Sequence, residues 1–187
     1  WALSGSGLSI AGITQPALAS MSSTTVAFID GSLEELRTYT WNGSIWSLTG
    51  SGLSIAGISG PKLCALSSTS VAFIDNDLES LRVYTFNGTT WSLTGSGLSI
   101  AGISTPKITA LSSTTIAYID QTLNELRKYT WSGTAWSLTG SGLAIATISG
   151  IAITSLNSSS VAIVDQNTEV LQMYTWTGST WAAEGAY

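Results

Sequence analysis

The chain has 187 residues, enough for one good-sized domain with a hydrophobic core. Only 9% of the residues are charged, and the net charge is −5. The six Lys and Arg residues do not cluster in the sequence. Because binding to a phosphate backbone needs a basic patch, we expect no nucleic-acid partner. Histidine is absent and Cys64 is the only cysteine, which removes the commonest metal ligand and any intrachain disulfide, and we expect no metal and no cofactor.

A 45-residue repeat organises the sequence. The segment YTWNGSIW starts at residue 39, and near copies start at 84, 129 and 174. A self-similar period of this length predicts a repeat architecture. We predict a single domain over 1–187, built from the repeats 1–45, 46–90, 91–135 and 136–180 and a terminal strand at 181–187. Near-identical repeats indicate recent duplication or deliberate construction, and the sequence leaves both origins open.

Each repeat predicts four short strands in chain order. In the second repeat they are 61–68 (PKLCALSS), 69–75 (TSVAFID), 80–86 (SLRVYTF) and 90–100 (TWSLTGSGLSI). The first two are hydrophobic on both faces, so both faces of the sheet should be buried. Within that run we interpret Cys64 as a small core residue.

Four strands in each repeat of about 45 residues, with Trp and Gly at fixed phase, resemble the β-propeller superfamily. The Gly-His and Trp-Asp dipeptides of the WD-repeat class are absent. The resemblance implies an all-β fold with four blades per chain, each of four antiparallel strands. A β-solenoid is the rival interpretation, although its coils are usually shorter and parallel.

The aromatic hairpin of each repeat is predicted to be structural. A two-residue turn at 42–43 would place Trp41 opposite Ser44 and Tyr39 opposite Trp46. We expect these rings to fill the wedge between neighbouring blades near the rim. The columns that we interpret as structural are Trp46, Trp91, Trp136, Tyr39, Tyr84, Tyr129, Tyr174, Asp30, Asp75, Asp120 and Asp165.

Ten of the 11 carboxylates fall in the connection between the second and third strands, namely Asp30, Glu34, Glu35, Asp75, Asp77, Glu79, Asp120, Glu125, Asp165 and Glu169. We predict that each invariant Asp either forms an exposed pair with the Arg of the next strand or accepts backbone N–H groups in the turn. A carboxylate ring that binds a cation is the functional alternative, but the loops lack the Asp-x-Asp-x-Asp spacing. Because near-identical blades place every carboxylate in similar surroundings, an acid and a base of different pKa are not expected, and we predict that the protein is not an enzyme.

Two segments, LRTYTW (36–41) and WTGSTWAAEGAY (176–187), resemble the bacterial fucose-binding propeller lectins. The resemblance implies a sugar clamped between blades by an arginine, a glutamate and aromatic residues. The positions that match by motif are Arg37, Arg82, Arg127, Trp41, Trp131 and Trp176. The family has a Glu where Thr40 precedes Trp41 here, and Phe86 interrupts the Trp column.

The main functional prediction is a non-enzymatic repeat scaffold for binding or assembly. A carbohydrate-binding lectin with one site per blade interface is the first alternative, and a glycan-processing enzyme is the second. No run approaches the ~18 apolar residues of a membrane helix, so we expect a soluble protein without a membrane partner. The sequence carries no signal for a compartment.

Ring closure follows from counting strands. Four sets of inner strands are accompanied by five Trp-led outer segments, at Trp1, Trp46, Trp91, Trp136 and Trp181. WALSGSGLSI at the N-terminus and WAAEGAY at the C-terminus therefore compete to complete the last blade. We predict a homodimer in which two chains close a ring of eight blades and each N-terminal segment completes the last blade of the partner. A monomeric ring of four blades is the alternative.

Overall fold

The computed structural model describes residues 5–146 and 148–185, which form four antiparallel sheets in chain order. Blades 1 and 2 consist of β1 Ala17–Ser20, β2 Thr25–Asp30, β3 Glu35–Trp41, β4 Trp46–Ser54, β5 Lys62–Ala65, β6 Ser70–Ile74, β7 Ser80–Phe86 and β8 Trp91–Ser99. Blades 3 and 4 consist of β9 Lys107–Ala110, β10 Thr115–Asp120, β11 Glu125–Trp131, β12 Trp136–Leu138, β13 Leu143–Ala144, β14 Ala152–Ser155, β15 Ser160–Asp165, β16 Val170–Trp176 and β17 Trp181–Glu184. The described residues contain no helix. The predicted all-β fold with four antiparallel blades is confirmed.

Neighbouring blades pack face to face. Successive side chains of a strand point to opposite faces, so each blade has a front, which carries Phe73 and Tyr84 in blade 2, and a back, which carries Ile29 and Leu36 in blade 1. The back of blade 1 packs against the front of blade 2 in one core cluster. The same columns meet between blades 2 and 3 and between blades 3 and 4. This arrangement explains why the inner strands are hydrophobic on both sides.

The innermost strands of the four blades lie around a channel of about 370 Å³. Its lining includes one large apolar residue from each strand, Leu18, Leu63, Ile108 and Ile153, together with Lys62 and Lys107. Cys64 lies next to this lining and is buried, which confirms its interpretation as a core residue. Burial raises the pKa of the Cys64 thiol to about 12.

The aromatic hairpin differs from its prediction. Trp41 pairs with Trp46 and Tyr39 pairs with Leu48, so the loop holds four residues and the predicted two-residue turn is wrong. Asn42 explains the longer loop, because its side-chain oxygen accepts the N–H groups of the third and fourth loop residues at 2.9 and 3.0 Å. The two indole rings meet across the strands at 5.6 Å.

The C-terminal segment completes the fourth blade. β17 pairs with β16 from Trp181 opposite Trp176 to Glu184 opposite Met173. The N-terminal segment lies beside blade 1 instead, where the N–H of Ser6 donates to the carbonyl of Ser44 at 3.0 Å. Of the two competing terminal segments, the C-terminal one therefore belongs to the last blade of its own chain. Trp1 and Tyr187 lie outside the described residues.

Candidate functional site

A row of three polar side chains runs along the front of the third strand in blade 1. Glu35, Arg37 and Tyr39 alternate along β3 and share one face. One carboxylate oxygen of Glu35 lies 2.6 Å from Nη2 and 2.7 Å from Nε of Arg37, and Nη1 of the same arginine lies 3.5 Å from the Tyr39 hydroxyl. Both members of the ion pair are partly exposed, with 25% of the arginine and 35% of the glutamate side chain accessible.

Blade 3 repeats this Glu–Arg–Tyr row. Nε of Arg127 donates to Glu125 at 2.7 Å, and Nη1 lies 3.5 Å from the hydroxyl of Tyr129. Blade 2 keeps only part of the row, since Ser80 replaces the glutamate and accepts a 3.4 Å hydrogen bond from Arg82. The four blades are therefore not equivalent, although their sequences are nearly the same.

Blade 4 lacks the row. Val170 and Gln172 stand where the other blades have Glu or Ser and Arg. The amide of Gln172 donates to the carbonyl of Glu184 at 2.6 Å. The glutamine therefore binds the outer strand of its own blade.

The rows hold permanently charged guanidinium groups. The hydrogen bond to Tyr39 raises the pKa of Arg37, burial lowers it, and Glu35 raises it again, with a net increase. Burial lowers the pKa of Arg127, but Tyr129 and Glu125 raise it by more. Each row thus offers fixed N–H donors next to a carboxylate acceptor and a phenol.

The outer strand makes room for the arginine by a bulge. Leu36 pairs with Leu53 and Thr38 with Thr49, which leaves three residues of β4 opposite Arg37. A methyl group on Gly52, in this bulge, would lie 3.3 Å from Cγ of Arg37. Glycine at this position therefore lets the arginine side chain lie against the outer strand.

The invariant aspartates hold turns instead of pairing with arginine. Oδ1 of Asp75 accepts the N–H groups of Asp77 and Leu78, both at 2.9 Å, and Oδ2 accepts the N–H of Ser59 at 2.6 Å from the connection before the blade. Asp75 is fully buried, and so are Asp30 and Asp120. The predicted exposed Asp–Arg pair is wrong, and the alternative of backbone acceptance is confirmed.

Register explains why the Asp–Arg pair does not form. Arg82 stands opposite Phe73, two residues before the aspartate. In blade 1 the residue opposite Asp30 is Glu35, and this glutamate forms the ion pair with Arg37. Sequence reasoning missed this Glu–Arg pairing, although spacing of two on a strand was the available signal, since it places both side chains on one face.

The hairpin tryptophans do not join the arginine rows. Trp131 is only 8% exposed and packs against Trp136 at 5.3 Å. Trp176 is half-buried, and the ammonium of Lys128 from the preceding blade lies 4.8 Å from its ring centroid. Trp41 is also half-buried, in contact with Trp46. The aromatic residue beside each arginine is a tyrosine, and the tryptophans pack between blades.

No family model matches the chain, and no curated protein matches its sequence. Solved structures match at the level of the fold. The six-bladed fucose-recognising lectin of Aleuria aurantia is 20% identical with a TM-score of 0.60, over 92% of this chain and 61% of that one. The SapL1 lectin, solved with alpha-methyl fucoside, is 17% identical with a TM-score of 0.59, over 93% of this chain and 64% of that one.

The protein is a β-propeller. A third match is the GH74 enzyme of Niastella koreensis, 18% identical with a TM-score of 0.58, over 89% of this chain but only 23% of the enzyme. This propeller chain spans about three fifths of the length of the two lectins.

Neither a metal-binding cluster nor a membrane-spanning helix is found in the part of the chain that the structure describes. Among the described residues no three Cys, Asp or Glu side chains are grouped so that they could hold a metal ion. The same residues include no helix with the length and hydropathy of a membrane span.

Proposed function

We propose that this β-propeller is a non-enzymatic carbohydrate-binding protein, with its sugar contacts in the Glu–Arg–Tyr rows of blades 1 and 3. The observation that carries the proposal is the pairing of a guanidinium and a carboxylate side by side on a partly exposed face. Neighbouring sugar hydroxyls accept hydrogen bonds from one and donate to the other. The fold match to two lectins, one recognising fucose and one solved with alpha-methyl fucoside, supports the proposal.

The structure also supports a binding role over catalysis. The invariant aspartates are buried as hydrogen-bond acceptors for turns, and Glu35 and Glu125 are neutralised by arginine. A glycosidase needs two carboxyl groups with different pKa values on either side of the scissile bond. Turnover of a reporter glycoside that is abolished by Glu125→Gln would contradict the non-enzymatic proposal.

A glycan array tests whether the protein binds any sugar. Titration calorimetry with α-methyl fucoside then measures the number of binding sites per chain. We expect two sites per chain, and one site after Arg127→Gln. The matched control is Arg82→Gln, in the blade without the glutamate, which should leave both sites. Absence of binding to every sugar on the array would overturn the proposal, as would equal loss of sites in the two variants.

We also propose the homodimer through ring closure, as a second function of assembly. It is favoured by the apolar side chains that remain exposed at the two ends of the blade stack, such as Leu18 on blade 1 and Leu171 on blade 4. An eight-bladed ring lies within the range of closed propellers. Light scattering should give a mass near twice 19.4 kDa. A folded monomer at every concentration tested would exclude the dimer and leave the sugar site untouched.

A further inference from the structure

Within the described residues, the outer strand of blade 4 reaches less far along its third strand than the outer strands of blades 1 to 3. In blade 1 the outer strand pairs along the third strand as far as Leu36 opposite Leu53 and Glu35 opposite Ser54. In blade 3 it is split in two, and its second piece, Leu143–Ala144, makes the corresponding pairs. β17 reaches only Met173. Within the described part of the chain, the backbone of Val170 and Leu171 has no outer-strand partner.

The back of blade 4 is consequently open. Leu171 is 69% exposed, whereas the leucines at the same position of the other blades are fully buried. Val164 is 42% exposed, whereas its counterparts, the isoleucines directly before the aspartates in the other blades, are fully buried. This face therefore carries the same apolar columns that are covered at all three interfaces inside the chain.

The N-terminal segment has the sequence and the position of the missing outer-strand piece. Leu8 and Ser9 repeat the Leu-Ser pair found at 53–54 and at 98–99. The N–H of Ser6 donates to the hairpin of blade 1 at 3.0 Å, as Ser51 does to the hairpin of blade 2 at 2.8 Å. The segment thus lies on blade 1 as the outer strand of a preceding blade would.

Among residues 5–146 and 148–185, no inner strands of such a preceding blade occur. Residues 7–10 belong to no strand, and Leu8 and Ile13 are 44% and 41% exposed. Their counterparts at the internal interfaces are covered by the blade to which they belong. A cavity of about 430 Å³ lies between this segment and the front of blade 1, lined by Leu8, Ile13, Leu18 and Phe28 among others.

We infer that the N-terminal segment of one chain extends the outer strand of blade 4 in a second copy, with Leu8 opposite Leu171 and Ser9 opposite Val170. The register is that of Leu53 with Leu36 inside blade 1. The blade is shared, because β17 of its own chain keeps its place and the second copy adds only the missing piece. This inference rests on the proposed homodimer.

A second copy fits these faces better than a partner of different chemistry. In the inferred dimer, the back of blade 4 of one copy would face the front of blade 1 of the other. These two faces carry the same columns of apolar residues that pack together at the three blade interfaces inside the chain. Val164 and Leu171 of the second copy would enter the cavity on blade 1, as Ile29 and Leu36 fill the space before blade 2. The exposed side chains at both ends that the contact would cover are apolar, so their burial removes hydrophobic surface from water without burying a charge.

A cysteine cross-link tests the register. Opposite residues in an antiparallel pair lie about 4.5–5.5 Å apart between Cα atoms, within the reach of a disulfide. In the full chain carrying Cys64→Ala, we would introduce Ser9→Cys and Val170→Cys, both at exposed positions. After mild oxidation, most of the protein should run as a covalent dimer on a non-reducing gel. The matched control, Ser9→Cys with Leu171→Cys, places the thiols on opposite faces of the sheet and should not cross-link.

The outcomes separate the inference from the proposal beneath it. A dimer by light scattering that gives no cross-link, or gives equal cross-linking in the control, would overturn the shared strand and leave the homodimer standing. A cross-link within one chain would show that four blades close alone and would overturn both. A monomer without a cross-link would refute the homodimer itself.

Discussion

The indole of Trp131 lies under Gly95 of the preceding blade, so closely that a methyl group on this glycine would be 2.7 Å from Cη2 of the ring. The neighbouring N–H of Ser96 donates to the carbonyl of Thr134 in the same hairpin at 2.8 Å. The contact recurs one blade later. The repeated aromatic hairpin is therefore a lock between consecutive blades, which explains why the chain carries it four times.

Alanine at Gly95 should be much more costly than alanine at another glycine with similar backbone geometry. Gly95 and Gly102 both have positive φ, 65° and 72°, but open space surrounds Gly102. Gly102→Ala should destabilise by about 1–2 kcal/mol because of the left-handed conformation alone. Gly95→Ala should lose about 1–3 kcal/mol more, because it overpacks the lock. Urea unfolding of both variants provides the measurement, and equal losses would mean that the lock yields without cost.

The buried tryptophan of blade 2 should contribute more to stability than its counterpart in blade 1. Trp91→Ala should cost about 3–5 kcal/mol, since the indole is buried between two blades. Trp46 is only half-buried, so Trp46→Ala should cost less in dilute protein. The difference between the variants should shrink at concentrations at which chains associate, because a second copy would cover Trp46. A difference that is independent of concentration would argue against that covering.

Local pattern accounts for the strands but not for the contacts between blades. The two-sided hydrophobic character of segments such as 69–75 predicts both the strand and its burial between sheets. The burial of Asp75 was not predictable in this way, because one of its donors, Ser59, lies 16 residues earlier in another connection. The hairpin loop was mispredicted because Asn42 uses its side chain, not only its backbone freedom, to close the turn. The Glu–Arg pairing was missed because Glu35 was assigned to the connection before the third strand, whereas β3 begins at Glu35 and carries Glu35 and Arg37 on one face.

Asp75→Asn should destabilise the protein clearly. One half of the amide group is a donor, so it cannot accept one of the N–H groups that now point to the carboxylate. A buried N–H left without an acceptor costs about 1–3 kcal/mol. Asp77→Asn is the control, because Asp77 is exposed and should change stability by less than about 0.5 kcal/mol. Equal unfolding midpoints for the two variants would refute this role of Asp75.

Asp165 should contribute stability that disappears in acid. Burial raises the pKa of this carboxyl, but the N–H groups of Ser149 and Asn167 and both donors of Thr168 lower it by more, so its pKa lies below the ordinary 3.8. A depressed pKa in the folded state stabilises the fold above the ordinary value, and that stabilisation is lost as the pH falls through the folded value. The gap in unfolding free energy between wild type and Asp165→Asn should be full at pH 6 and should narrow below pH 3.8. A gap that stays constant down to pH 2 would contradict the depressed pKa.

Cys64 should be inert until the blades separate. The thiol is buried in the core between blades 2 and 3, and burial raises its pKa from 9.0 to about 12. Since the thiolate is the reactive species, a rise of this size lowers the reactive fraction about 10³-fold near neutral pH, before access is considered. The folded protein should therefore react with a disulfide reagent at pH 8 at least about 10³-fold more slowly than the urea-unfolded chain. Loosening the lock between blades 2 and 3 with Gly95→Ala should speed the reaction if the blades open locally, whereas Gly102→Ala should change it less. Rapid, stoichiometric labelling of the native protein would show that blades 2 and 3 do not enclose this residue.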